Sequence, residues 1–128
     1  MAKIDFYNKF NEKMLEFSKD LCDGFPTITE FSRLRTGILL LQNVEPKTLE
    51  RIFRTYVLTK YRNHLMNKDE TFFLEHQEFE ISSSRTDYWL GLIAELKSIW
   101  VTLNDENKNI IWKYFQIMTV LSDKCQCS

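Results

Sequence analysis

The sequence predicts an all-α fold: a compact bundle of five to six helices in one domain over residues 1–128, with the last two helices as its central antiparallel hairpin. Three observations carry this. Apolar residues recur at spacings of three and four along most of the chain. Only 3 Gly and 2 Pro are present in 128 residues, too few to turn the many short strands of a sandwich or barrel. The run from Ile110 to Leu121 is apolar over a broad arc comprising Ile110, Ile111, Tyr114, Phe115, Ile117, Met118 and Leu121, so it must meet several neighbours at once.

The first helix is expected over about Ile4 to Cys22, with Phe6, Phe10, Met14, Phe17 and Leu21 on one face. Gly24 is expected to take a left-handed cap, and Pro26 forbids continuation. Thr27 and Glu30 have the spacing of a capping box for a second helix carrying Phe31, Leu34, Ile38 and Leu41, which ends near Gln42 and Asn43. Gly37 inside that helix costs up to about 1 kcal/mol relative to Ala unless it permits close packing.

Pro46 opens a third helix to about Asn63, with Leu49, Ile52, Phe53 and Tyr56 facing inward. A short fourth helix is expected over Asn67 to Leu74, anchored by Phe72 and Phe73, with Asp69 and Glu70 in its first turn. Gln77 to Arg85, around Ser82, Ser83 and Ser84, reads as a loop. The fifth helix should span Thr86 to Leu103, with Trp89, Leu92, Ile93, Leu96, Ile99, Trp100 and Leu103 on one side. Asn104 caps the sixth, followed by Asp105 and Glu106.

Composition restricts function more than it assigns it. A net charge of −1 creates no global field toward nucleic acid or an acidic membrane. Charge is unevenly spread, however. Residues 33–68 carry 8 basic and 2 acidic side chains, whereas residues 69–128 carry 5 and 10. The three cysteines, Cys22, Cys125 and Cys127, form no disulfide framework, the N-terminus lacks the apolar region of a secretion signal, and no apolar run approaches 18 residues. A reducing, cytoplasmic compartment and no membrane are therefore expected.

The clearest candidate surface is the far side of the third helix, where Lys47, Arg51, Arg54 and Arg62 line up with Leu58 among them. It reads either as a solvated face or as a site for an anion, a nucleic acid or an acidic protein partner. Trp112 is the second candidate, because it projects near the polar edge of the last helix beside Gln116 and Thr119, where it is either covered by another helix or left to meet a partner. Leu15, Cys22, Leu90 and Val101 fall outside the main apolar arcs and would make a contact patch if they cluster.

Chemistry-bearing groups are sparse. His64, Asp69, Glu70 and His76 lie within thirteen residues but lack the one-face spacing of a helical metal site, so no metal, cofactor or catalytic residue is assigned. Asp69 and Glu70 are explained as first-turn residues, with Lys60 in reach of either. No glycine-rich phosphate loop can be written, and Cys22 has no His near it in sequence. Cys125-Gln126-Cys127-Ser128 has the outline of a prenylation signal with poor central residues, and a frayed terminus is the simpler reading.

Phe25-Pro26, Lys68-Asp69-Glu70-Thr71-Phe72-Phe73, Leu96-Lys97-Ser98-Ile99-Trp100 and Ile111-Trp112-Lys113-Tyr114-Phe115-Gln116 occur in an order that resembles small all-helical proteins of large nucleocytoplasmic DNA viruses of algae and protists. The resemblance implies a viral origin and an all-α fold, and transfers no site residues. The functional expectation is a non-enzymatic interaction or structural module, a virion or assembly component or a host-interaction factor in the host cytoplasm or the virion. It would have a viral or host protein partner, or a second copy of itself. The alternative is a nucleic-acid-associated protein using the basic stripe.

Overall fold

A computed structural model describes residues 3–74 and 94–126, and every described element is helical. In order these are α1 (Lys3–Gly24), α2 (Thr29–Val44), α3 (Thr48–Phe53), a π-helical segment (Arg54–Leu58), α4 (Thr59–Met66), α5 (Thr71–Leu74), the helical residues 94–99 (α6) with a 3-10 turn (Trp100–Thr102), and α7 (Asp105–Gln126). The all-α bundle is as the sequence predicts. One apolar core draws on every one of these helices and is centred on Phe10, Phe17, Phe31, Phe53, Phe72 and Phe115. No described helix is long and apolar enough to cross a membrane.

α1 buries Phe10, Met14, Phe17 and Leu21 as the spacing requires, but Tyr7 rather than Phe6 completes the face. Gly24 takes no left-handed conformation. α1 continues through it, the Phe25 N–H bonds the Leu21 carbonyl at 2.8 Å, and Pro26 stops the helix. The expected capping box is also absent. α2 begins at Thr29, two residues beyond Thr27, behind Ile28, whose side chain can accept no bond, and Glu30 pairs instead with Arg33 at 3.3 Å. Phe25 packing edge-on against Phe31, with ring centroids 6.0 Å apart, holds this corner by apolar contact. Gly37 is buried with Phe31, Leu34 and Ile38.

Pro46 lies in the turn before α3 rather than in its first helical turn, and its carbonyl accepts a 2.9 Å bond from Asn11 Nδ2. The main departure follows. From Arg54 to Leu58 the backbone is π-helical, and Thr59 Oγ1 donates to the carbonyls of Arg54 (2.8 Å) and Thr55 (3.0 Å). A π-turn inserts one residue and so turns everything after it by roughly 100° relative to a continuous α-helix. Leu58 and Leu65 would point away from the core in a straight α register, and the insertion brings both inside.

α5 starts at Thr71, not Asn67, because Lys68 has a positive φ of 52° and Asp69 Oδ1 accepts from both Thr71 N (3.1 Å) and Thr71 Oγ1 (2.9 Å). The expected loop 77–85 and the first part of the expected fifth helix, Thr86 to Ile93, lie outside the described residues. Within α6, Leu96 is buried, and Trp100 at the start of the 3-10 turn is buried too. Asn104 caps α7 as expected, its Oδ1 accepting the Asn107 N–H at 2.8 Å.

α7 is the central helix. It runs antiparallel to α1, where Phe17 stacks on Tyr114 and meets Phe115 edge-on, and antiparallel to α4, where Gln116 Nε2 donates to the Leu65 and Met66 carbonyls. The hairpin expectation is thus met in part. Residues 94–102 join α7 near its start, through Trp100 on Trp112, and among the described residues α1 and α4 pack along its length.

Candidate functional site

The buried face of α7 comprises Ile111, Trp112, Tyr114, Phe115, Met118, Thr119, Ser122 and Cys125, so the helix is turned away from the arc its apolar residues suggest. Trp112 and Thr119 go in, while Ile110 is 45% exposed and Ile117 is half-buried. Trp112 is only 3% exposed, with its ring 5.3 Å from that of Trp100, which settles its alternative in favour of cover by another helix. It is unavailable as a partner contact.

What the rotation leaves outside is a ridge. Glu106, Ile110, Lys113, Ile117, Val120 and Lys124 fall within about 40° of one line along the helix at 100° per residue. Ile110 and Val120 are each 45% exposed. Two grooves flank this ridge. Toward α1 lies a depression of about 280 Å³ bordered by Lys13, Glu16, Lys113 and Ile117, and toward α4 one of about 370 Å³ bordered by Met66, Gln116, Val120 and Leu121. Met66 is itself exposed, so the apolar surface extends from α7 onto α4. Among the described residues no helix covers this face.

The basic stripe is divided by the fold. Arg54 Nε bonds Glu50 Oε1 at 3.0 Å, and Arg62 bonds Asp123 Oδ2 at 2.7 Å, a bond that holds the Arg62 guanidinium above its ordinary pKa. Lys47 Nζ lies 5.5 Å from the centre of the Tyr7 ring. Arg51 is exposed, and Leu58, at 4% exposure, belongs to the core rather than to the stripe, because of the π-helical insertion. Sequence periodicity cannot signal that insertion.

The proposed acidic first turn is also committed to structure. Asp69 is held below the usual carboxylate range, first by the bond from the Thr71 backbone N–H and then by the Thr71 hydroxyl. His64 Nε2 is 3.9 Å from Asp69 Oδ2. Glu70 pairs at 3.1 Å with Lys108, not with Lys60, and His76 lies outside the described residues. No three His, Cys, Asp or Glu side chains among the described residues are grouped to hold a metal ion.

A depression of about 480 Å³ lies where the end of α1 meets the start of α7, with Asp20, Asp23, Asn107 and Tyr114 among its polar groups. The Tyr114 hydroxyl donates to Asp20, and burial followed by that bond raises its pKa, so at neutral pH it is a donor rather than a base. Cys22 and Leu15 are half-buried against the core and Val101 is exposed on the 3-10 turn, while Leu90 lies outside the described residues. Cys125 is 1% exposed within α7, which continues to Gln126 and hides the sulfur a prenyl group would need, while Cys127 and Ser128 lie outside the described residues.

Comparison with family models, curated proteins and solved structures finds no match.

Proposed function

We propose that this protein is a non-enzymatic interaction module that docks a helix of another protein chain on the outward ridge of α7. The observation that carries this reading is the exposure of Ile110 and Val120 on the helix that organises the core, with Ile117 and Met66 extending the same apolar surface. Exposed apolar area that is contiguous and edged by charge is the signature of a contact surface, whereas scattered apolar residues are ordinary. A ridge between two grooves is also the shape into which a second helix packs. The patch on α2, formed by Leu39, Leu40 and Val44, is confined to the last turns of that helix.

Nucleic-acid association through the third-helix stripe has weaker support, since Arg54 and Arg62 are already paired with carboxylates. The viral resemblance is what supports a partner among virion or host proteins, met in the host cytoplasm or the virion. A photo-crosslinking residue at Ile117 tests the docking reading in expressing cells. The expected result is defined adducts that vanish when Ile110→Glu and Val120→Glu are added, with none formed from the same residue at exposed Arg35. No adduct at position 117, or adducts indifferent to the two charges, would overturn it.

A further inference from the structure

We infer that the occupant of the α7 ridge is the same ridge of a second copy, packed antiparallel about a two-fold axis; this rests on the docking reading above. The outer positions of the ridge are self-complementary about the level of Phe115. A two-fold axis there exchanges Glu106 with Lys124, Ile110 with Val120 and Lys113 with Ile117. Each apolar residue of the outer part meets another, and the acidic end of one helix meets the basic end of its mate, twice per dimer. This is the self-complementarity an isologous interface requires.

The individual groups are suited to those places. Glu106 is exposed and has no ion pair among the described residues. Lys124 is exposed and rests over the Phe6 ring at 5.5 Å, a contact that places its charge beside the ridge. Lys113 opposes Ile117 and can lay its aliphatic stem along it while its ammonium stays in the groove that Glu16 also borders. A parallel pairing would set Glu106 against Glu106 and Lys124 against Lys124, and that repulsion selects the antiparallel arrangement. α7 has 22 residues and is about 33 Å long, so a single helix pair with Met66 at its margin makes a small interface. The dimer is therefore weak, with Kd on the order of 10 μM.

Sedimentation equilibrium of the full chain at low ionic strength tests this with four variants. Ile117→Glu should abolish association while leaving the thermal midpoint in place. Glu106→Lys and Lys124→Glu should each weaken association about tenfold, and the double exchange Glu106→Lys with Lys124→Glu should return it to within about twofold of the native chain. Restoration cannot come from Phe6, since Lys124 is absent from both the Lys124→Glu variant and the double exchange. Failure of the double exchange to restore, or association indifferent to the single ones, would overturn the antiparallel pairing. A strict monomer that still crosslinks a different protein through position 117 would overturn self-pairing and leave the docking reading standing, and a monomer with no such adduct would overturn both.

Discussion

Ser122 on α7 donates a 2.8 Å hydrogen bond to Oε1 of Glu50 on α3, joining two buried side chains 72 positions apart. The same oxygen accepts Arg54 Nε at 3.0 Å and Gln126 Nε2 at 3.2 Å, and Glu50 is 0% exposed. A carboxyl group buried this deeply is tolerated when donors converge on it, and here all three meet Oε1 while Oε2 is left without a hydrogen bond among the described residues. This cluster fixes the end of α7 against α3 and thereby sets which face of α7 turns outward. Glu50→Ala removes the acceptor and leaves the Ser122 hydroxyl in apolar surroundings, so it should lower stability by about 3 kcal/mol. Ser122→Ala should cost about 1 kcal/mol. Urea unfolding measures both, and a loss for Glu50→Ala no larger than that for Ser122→Ala would contradict the account.

Leu58 separates the two ways of reading the third helix. As a core residue brought inward by the π-helical segment, Leu58→Ala should cost about 2–4 kcal/mol. Its neighbour in the predicted stripe, Arg51→Ala, should stay within about 0.5 kcal/mol. Equal, small effects in thermal unfolding would mean that Leu58 faces solvent.

Trp112 and Trp100 pack edge to face in the core. Trp112→Ala should therefore cost about 3–5 kcal/mol. Fluorescence of a double variant, Trp89→Phe with Trp100→Phe, leaves Trp112 as the one tryptophan and should show blue-shifted emission that moves red only on unfolding. Quenching of Trp112 by iodide in the native state would contradict its burial.

The lesson for sequence reading lies in these same residues. The helices of residues 3–66 and the Asn104 cap were legible because apolar spacing and cap chemistry are local properties. The π-helical insertion was not, since Arg54, Thr55, Tyr56, Val57 and Leu58 carry no spacing that distinguishes 4.4 from 3.6 residues per turn, and one inserted residue was enough to move Leu58 from stripe to core. On α7 the apolar residues cover so much of the helix that the sequence could not fix its rotation. Glu50, Ser122 and Gln126 fixed it, and long-range polar contacts leave no periodic trace. Arg54 and Arg62 looked like a free basic surface because their partners are recognisable only in three dimensions.

Alkali should destabilise the fold in two steps. Burial, and then the nearby Glu50 carboxylate, push the Cys125 thiol up to about 11 from an ordinary 9.0. Burial and the bond to Asp20 raise the Tyr114 phenol above its ordinary 10.0. In both cases the folded chain keeps a proton that the unfolded chain releases, so this stability is fully present below the ordinary pKa and is lost as pH rises through the folded value. Unfolding measured against pH should decline from about 9 upward, Cys125→Ala should flatten the part between about 9 and 11, and Tyr114→Phe the part above 10. A decline indifferent to both substitutions would contradict these assignments.

The central claim is that the outward ridge of α7 is where this protein meets a second copy. Hydroxyl-radical footprinting of the native chain, in dilute solution and at concentrations well above the association range, reads that surface directly. The account predicts that labelling of Ile110, Ile117, Val120 and Met66 falls together on concentration while Leu40 and Val44 on α2 are unchanged. Protection at Leu40 and Val44 instead, or no protection on the ridge, would contradict it.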